Sequence, residues 1–535
     1  MEYVYLLLSL NAVNCIDLLV STNTGFVQGV SENGIASFMG IPYAIVDPLN
    51  QFGDTLEVPA FEGVYSAKDG TALCPQQDDI TYDIIGTLDC LRINVYVPEG
   101  TNPDSLLPVM VFIHGGDFRR WNSNRGTYGP DFLVPKGVIL VTFNYRLGPY
   151  GFMSLHRSDI PGNAGLRDQW KALIWVRDNI AAFGGDSDDI TLFGEDAGAA
   201  SVEVHILSRH SKGLFNKAIL QSGSVLCDWA MAEPDINAPM KLAKYLGLDT
   251  DDVDDALNYL NTIDPKMVIT ASIDTGLIET FKPIVEQEFF LVKSMIRDKP
   301  SELLNGASLS IPIIIGFNSR EEHPNVRYFT DSLDGHFKRA NASFRAKMKN
   351  YFNLDDEDLD EAVSRVRYFY LPDNNAGLET IESMFDFDAD FSLMYPSLRD
   401  SRYYVEAGAT VYLYTFDYAG GRNYMKNRFR VKLNVGAIHG DEIGYLFQQS
   451  PEIHPRCSEI NQDTVIINVM TYMWTDFAKT GNPTPAKNVF TWRPVIEEFS
   501  YALLGAKLQM IHHPYHRRMA FWDQVFETYG EYMKW

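Results

Sequence analysis

The chain has 535 residues, of which 46% are hydrophobic, and this is enough apolar sequence for a large buried core. Its formal net charge of −25 disfavours binding to a phosphate backbone or an anionic surface, so nucleic acid is not an expected partner. No Pro-rich or Ser-rich linker, block of charge or internal repeat divides the sequence. Residues 16–535 are therefore predicted to form one domain.

The N-terminal segment is apolar but short. Residues 3–13 are too few to span a bilayer, and they favour a signal peptide at residues 1–15, with a buried first strand as the alternative. No later run has the length of a membrane-spanning helix, so no membrane anchor is expected and the protein is predicted to be secreted and extracellular. Asn341 lies in an Asn-Ala-Ser sequon and is predicted to carry a glycan in that compartment.

Five cysteines are present, and their spacing indicates no zinc site. Cys15 would leave with the signal peptide. Cys74 and Cys90 flank a polar segment, and a disulfide between them is predicted because it suits an oxidising compartment. Cys227 and Cys457 lie far apart in sequence and are left unassigned. Neither a metal nor a cofactor is expected.

Apolar runs predict a series of strands separated by helical segments. Asn33-Gly34 between alternating apolar residues indicates a hairpin, and solid apolar runs farther along indicate strands buried on both faces. This order predicts an α/β fold, with a large, mostly parallel sheet covered by helices on both faces and antiparallel strands at one edge. Strands are expected at 91–97, 108–113, 138–144, 190–193, 218–221, 311–316 and 411–416, and helices at 164–182 and within 235–305 and 340–410.

Residues 190–201, Ile-Thr-Leu-Phe-Gly-Glu-Asp-Ala-Gly-Ala-Ala-Ser, are the most informative stretch. The apolar run predicts a strand, Gly194 and Gly198 bracket a tight turn, and Ala199 onward favours a helix. This is the pattern of a nucleophile elbow, Gly-x-Ser-x-Gly. Asp196 stands at the position of the serine.

From about residue 20 to Trp522 the chain resembles the type-B carboxylesterases and cholinesterases, which have the α/β-hydrolase fold. The resemblance is carried by motifs that occur in family order. They are Phe38-Met39-Gly40-Ile41-Pro42-Tyr43-Ala44, Asp89-Cys90-Leu91-Arg92-Ile93-Asn94-Val95-Tyr96, His114-Gly115-Gly116, Asn144-Tyr145-Arg146-Leu147-Gly148, and residues 162–169, 183–186, 221–223 and 474–483.

The resemblance implies roles for particular residues. Glu321 takes the position of the triad acid, and His439, in Gly436-Ala437-Ile438-His439-Gly440, takes that of the base. The retained pair Arg146 and Asp168 indicates a maintained scaffold. The backbone donors of the oxyanion hole are implied at Gly115, Gly116, Asp117 and Ala197.

Three departures from the family pattern point away from catalysis. Asp196 is expected to pair with His439 and keep the imidazole protonated, and its oxygens are expected to accept the hydrogen bonds meant for the oxyanion. Asp117 replaces a small residue, and its charge is expected to repel an oxyanion. Third, the Pro-Pro-x-Gly and Arg-Phe segment of the family is missing from Ile45 to Pro59, and Leu88 stands where the family has the Glu that pairs with that Arg. In addition, Glu322 replaces a glycine after the triad acid, so a different local backbone is expected there.

Two functions from different classes follow. The first is a catalytically inactive, secreted carboxylesterase-like protein that binds a hydrophobic small molecule or ester-like ligand, or a protein partner. The alternative is an active ester or epoxide hydrolase that uses Asp196 as nucleophile, or water activated by Asp196 and His439. A structural or storage role is a third reading. A homodimer through helices near 521–532 is left open, with core packing as the other explanation of their apolar positions.

Overall fold

The structure is a computed structural model. The predicted signal peptide at residues 1–15, Glu322 and Cys457 lie outside the residues that it describes. Asn341 falls within the helix Leu333–Tyr351, and its glycosylation stays a prediction. The described residues are 18–101, 106–321, 333–372, 378–431, 436–454, 461–485, 490–495, 499–513 and 515–535.

An 11-stranded sheet forms the centre of the molecule, and with helices around it the predicted α/β-hydrolase fold is confirmed. The strands expected from apolar runs are all present, with ends shifted by a few residues at most. In chain order they are β1 Val30–Glu32, β2 Ile35–Pro42, β3 Arg92–Pro98, β4 Leu107–Ile113, β5 Ile139–Phe143, β6 Gly185–Glu195, β7 Lys217–Gln221, β8 Pro312–Asn318, β9 Thr410–Phe416, β10 Ser500–Leu504 and β11 Leu508–His512.

The spatial order of the strands is β11-β10-β9-β8-β7-β6-β4-β5-β3-β2-β1. The middle of the sheet, from β5 through β4 and β6 to β10, is parallel. The edge containing β1, β2 and β3 is antiparallel, as predicted. Asn33 and Gly34 form the two-residue turn between β1 and β2, both with positive φ, which a hairpin turn of this length requires. The opposite edge is also antiparallel, between β10 and β11.

Strand β4 shows why solid apolar runs become central strands. Val109, Val111 and Ile113 pack into one apolar cluster, whereas Met110 and Phe112 pack into the cluster on the other face. Successive strand side chains point to opposite faces, so a strand covered on both sides must be apolar throughout.

Helices cover the sheet and fill the two regions expected to be helical. The predicted helix at 164–182 is α2, followed by a 3₁₀ turn at Ile180–Phe183. The helices are α1 Gly148–Phe152, α2 Ala164–Asn179, α3 Ala197–Leu207, α4 Ala238–Tyr245, α5 Val253–Leu260, α6 Pro265–Asp274, α7 Pro300–Asn305, α8 Leu333–Tyr351, α9 Asp356–Tyr370, α10 Ile381–Ala389, α11 Tyr395–Glu406, α12 Tyr424–Arg428, α13 Ile443–Leu446, α14 Gln462–Thr480 and α15 His516–Tyr529.

A disulfide and a buried ion pair support the scaffold. Cys74 and Cys90 form the predicted disulfide, and Cys227 is a buried free thiol. Arg146 donates Nε and Nη2 to the two carboxylate oxygens of Asp168, each at 2.7 Å. The pair is fully buried and joins the segment after β5 to helix α2.

The C-terminal helix α15 packs into its own chain. Phe521 is 9% exposed, and Trp522 and Val525 are fully buried, so these apolar positions belong to the core. A homodimer stays a prediction. Within the described ranges, no helix combines the length and the apolar character needed to cross a bilayer.

Candidate active site

The elbow joins β6 to α3 through a turn in which two glycines are sterically required. A Cβ on Gly194 would lie 2.5 Å from the carbonyl carbon of Gly198, and a Cβ on Gly198 would lie 2.0 Å from the carbonyl oxygen of Ile113. Asp196 has φ 57° and ψ −123°, a conformation that a non-glycine residue keeps only where its surroundings enforce it. The predicted strand, turn and helix are present, with the Asp196 side chain at the tip.

Backbone amides bind one oxygen of the Asp196 carboxylate. Its Oδ2 accepts hydrogen bonds from the amides of Gly116 (2.8 Å) and Asp117 (2.9 Å), and the amide of Ala197 also binds the carboxylate. Gly115 contributes room, because a Cβ there would lie 2.8 Å from the Cβ of Asp196. Three of the four amides that family resemblance places in the oxyanion hole, those of Gly116, Asp117 and Ala197, are therefore bound to a carboxylate of the chain itself.

His439 lies between three carboxyl groups. Its Nδ1 is 2.7 Å from Oε2 of Glu321, and its Nε2 is 3.4 Å from Oδ1 of Asp196. The same Nε2 is 3.2 Å from Oε1 of Glu195. The structure therefore brings together the three residues predicted for the nucleophile, acid and base positions, although they are separated by more than 100 positions along the chain.

The charge states follow from these contacts. Burial opposes charge on His439, but the carboxyl groups of Glu195, Asp196 and Glu321 raise the pKa of the imidazole well above its ordinary value. Burial likewise opposes ionisation of Asp196, but His439 and the amides of Ala197 and Asp117 lower its pKa to about 2. At neutral pH the elbow therefore holds an ion pair, in which the imidazole has no vacant nitrogen to accept a proton.

Glu321 is oriented by hydrogen bonds from residues at the ends of β7 and β8. Its Oε1 accepts from the hydroxyl of Ser222 and from the backbone amide of Asn318, both at 2.5 Å. The side chain is fully buried, so its remaining oxygen is directed at His439. This is the arrangement that fixes the tautomer of a catalytic imidazole.

Two further buried acids were missed by the sequence analysis. Glu195 is fully buried, and neither of its oxygens has a hydrogen-bond partner among the residues that the structure describes; burial raises its pKa well above the ordinary value. Glu442 accepts hydrogen bonds from Gln221 (3.1 Å) and Asn318 (2.6 Å). Burial and the nearby charge of Glu321 raise its pKa to about 7. The sequence did contain two signals of these acids: Glu195 is adjacent to Asp196, and Glu442 lies close to the histidine motif.

The surroundings of Asp117 bear on the expectation that its charge repels an oxyanion, which stays a prediction. Its Oδ2 lies 2.9 Å from Nη2 of Arg119, and its Oδ1 lies 3.5 Å from Nζ of Lys282. Arg119 also pairs with Glu279. The carboxylate is thus compensated by two cations and does not stand as an isolated charge beside the oxyanion hole. Only the contacts of the folded chain reveal this, because Lys282 and Asp117 are far apart in sequence.

Comparison with known proteins agrees with this geometry. The carboxylesterase family model matches residues 17–522. The chain is 31% identical to juvenile hormone esterase of Heliothis virescens, covering 89% of this chain and 87% of that protein. It is also 31% identical to bile salt-activated lipase of Rattus norvegicus, covering 95% and 85% respectively.

Solved structures show the same likeness. Juvenile hormone esterase from Manduca sexta, solved with OTFP covalently attached, superposes with a TM-score of 0.85 at 28% identity over 95% of this chain and 99% of that one. The family model spans nearly the whole described chain. This protein belongs to the carboxylesterase family.

Proposed function

We propose that this protein does not hydrolyse esters and instead binds a hydrophobic small molecule or ester-like ligand at the site around Asp196. The observation that carries the proposal is the position of the Asp196 carboxylate, whose Oδ2 lies 2.8 Å from the amide of Gly116 and 2.9 Å from that of Asp117. Acyl transfer needs such donors free for the oxyanion that forms in the transition state. Here they are already occupied by a fixed negative charge.

Two further steps of serine-type acyl transfer are missing. Asp196 supplies no hydroxyl group, and the ion pair with Asp196 and Glu321 leaves His439 protonated, so the imidazole is unable to act as a general base. Loss of a triad nucleophile alone lowers turnover on the order of a million-fold. The serine mechanism is therefore not expected in the native chain.

Two observations support ligand binding at this site, the partial exposure of Asp196 and His439 and the names of the relatives. The side chains of Asp196 and His439 are 13% and 24% exposed, whereas Glu195, Glu321 and Glu442 are buried, so Asp196 and His439 are the charged groups of the site that solvent reaches. The relatives are named as an esterase and a lipase. We infer from this an apolar, ester-like ligand class, with a protein partner as the other outcome of the test below.

A hydrolase that attacks an ester or epoxide with Asp196 is less well supported. Such an enzyme needs its histidine to take a proton from water in order to hydrolyse the covalent intermediate. Although burial opposes charge on His439, the neighbouring carboxyl groups of Glu195, Asp196 and Glu321 raise its pKa, and the imidazole holds its proton at neutral pH. The amides of Gly116 and Asp117 also stabilise the Asp196 negative charge, which makes the carboxylate a weaker nucleophile.

We also propose that the protein is secreted. The Cys74–Cys90 disulfide suits an oxidising compartment, and the apolar segment at residues 3–13 suits a signal peptide.

The experiment compares the purified native protein with Asp196→Ser and with Asp196→Ser/His439→Ala. Each is assayed with a short-chain nitrophenyl ester, a fluorophosphonate probe and an epoxide. The native protein is expected to be inert in all three assays. Asp196→Ser is expected to gain esterase activity and fluorophosphonate labelling, because Glu321 and His439 are already in place. The double variant is expected to lose both, which would tie the gain to the triad.

Two outcomes would overturn the proposal. One is native turnover that Asp196→Ala abolishes, since Asp196 would then be a nucleophile. The other is native protein that carries no small molecule by mass spectrometry of the folded protein and no affinity for a panel of apolar esters. That result would indicate a protein partner instead.

A further inference from the structure

A loop far along the chain from the elbow projects two adjacent apolar side chains into solvent. Phe290 is 92% exposed and Leu291 is 87% exposed, the highest values of any large apolar residues in the described part of the chain. Exposed apolar residues are common singly, but a neighbouring pair exposed to this extent at the end of a projection calls for a reason.

The loop stands on a rigid base. The amide of Glu286 donates to the carbonyl of Ile296 (2.8 Å), and Oε2 of the buried Glu286 accepts from the amides of Met295 (2.5 Å) and Ile296 (3.1 Å). Its Oε1 pairs with Nη1 of Arg167 at 2.8 Å. The two ends of the loop at 287–294 are therefore held together. Leu291 has φ 72°, a left-handed conformation that costs a branched residue energy, and the loop keeps it.

Cations lie beside this tip. Nζ of Lys293 lies 4.3 Å from the centre of the Trp170 ring, and the ring of His210 packs against the same tryptophan at 6.5 Å. Arg209 is 52% exposed and pairs with Glu288 at 3.0 Å. A phospholipid surface has acyl chains beneath a layer of phosphates. The exposed apolar side chains of the loop match the acyl chains, and the cations beside them match the phosphates.

We propose that the loop at 287–294 docks the protein on a zwitterionic phospholipid surface, with Phe290 and Leu291 among the acyl chains and Lys293 and Arg209 near the headgroup phosphates. Both tip side chains are almost fully exposed, so they can enter a fluid surface that needs no matching pocket. The net charge of −25 opposes a strongly anionic membrane, which is why the proposal specifies a neutral one. It is independent of the proposed ligand binding at Asp196.

The test measures partition of the purified native protein into phosphatidylcholine vesicles by flotation. Phe290→Ser and Leu291→Ser are each expected to lower the partition coefficient by roughly tenfold or more, as expected for one large apolar side chain. Leu49→Ser is the matched control, because Leu49 is 84% exposed in a different loop, and it is expected to leave partition unchanged. Both tip side chains are solvent-exposed, so the variants should melt at the native temperature.

A second variant reports directly how deeply the loop tip enters the bilayer. Phe290→Trp is expected to show a blue-shifted tryptophan emission and quenching by brominated acyl chains. The proposal is overturned if the native protein does not float with the vesicles, if the tip substitutions and Leu49→Ser have equal effects, or if the new tryptophan is not quenched. It is also overturned if Phe290→Ser converts a dimer to a monomer in sedimentation, since the tip would then contact a second copy.

Discussion

The carboxylate of Asp196 accepts a 2.8 Å hydrogen bond from the amide of Gly116. This contact joins the elbow at the end of β6 to the loop that follows β4, and it places a permanent negative charge where an esterase develops a transient one. That charge affects the pKa of His439, and the effect can be measured.

Replacing Asp196 by Asn is expected to lower the pKa of His439, because the substitution removes a neighbouring opposite charge. The amide keeps the shape of the carboxylate, so folding should not change. The measurement is NMR titration of the labelled imidazole. Asp89→Asn, at a carboxylate that is 77% exposed, is the control and should have no effect on His439. An unchanged imidazole pKa in Asp196→Asn would contradict the ion pair.

Glu442 predicts a pH dependence of stability. Burial and the charge of Glu321 raise its folded-state pKa to about 7, above the unfolded value of about 4.3. A raised carboxyl pKa means that the folded state binds the extra proton, so its contribution is full below pH about 4 and is lost as pH rises through 7. The loss amounts to roughly 4 kcal/mol.

Glu442→Gln should therefore flatten the fall in unfolding free energy between pH 5 and pH 8, measured by urea denaturation. The slope is the quantity to compare, because the amide also changes the hydrogen bonds with Gln221 and Asn318. Glu62→Gln, at an exposed site, should keep the native slope. A Glu442→Gln profile parallel to the native one would show that Glu442 does not titrate in this range.

Breaking the buried ion pair between Arg146 and Asp168, which lies away from the candidate site, is expected to lower the unfolding free energy strongly. Asp168→Asn leaves the guanidinium buried without its countercharge, which costs about 3–5 kcal/mol in the unfolding free energy. Asp249→Asn disrupts the exposed pair with Lys244 and should cost less than about 1 kcal/mol. Chemical denaturation of both variants gives the comparison, and equal effects would contradict the structural role of the buried pair.

In the Asp196→Ser variant, substitutions of Asp117 and Arg119 are expected to change esterase turnover by different amounts. Since Arg119 and Lys282 compensate its charge, adding Asp117→Gly to Asp196→Ser should change esterase turnover by less than about threefold. Adding Arg119→Met instead exposes the oxyanion to an under-compensated carboxylate, and should lower turnover by about tenfold, equivalent to roughly 1.4 kcal/mol in the barrier. A large gain from Asp117→Gly would show that the carboxylate does repel the oxyanion.

Much of the fold was predictable because it depends on local patterns. Strand β4 is apolar at every position from Val109 to Ile113, and only a strand buried on both faces has this composition. Gly194 and Gly198 predicted the elbow, because the turn leaves no space for a Cβ at either position. The hairpin at Asn33 and Gly34 followed from the positive φ that both positions require.

The site was predictable only in part. Family resemblance placed Asp196, Glu321 and His439 in one site, and the expectation of a protonated imidazole rested on opposite charges meeting there. The roles of Ser222, Glu195 and Glu442 did not emerge, since a serine or a glutamate is polar in any sequence and its burial depends on what packs over it.

The sequence by itself determined the strands, the elbow and the absence of a serine at its tip, because these depend on side-chain size, apolarity and backbone geometry within short stretches. Only the tertiary structure decided which charges are compensated. Lys282 reaches Asp117 from 165 positions away, and the amides of Gly116 and Asp117 reach Asp196 across strands β4 and β6. Electrostatic energy depends on distances of a few ångströms and on burial, and neither is set until the chain has folded.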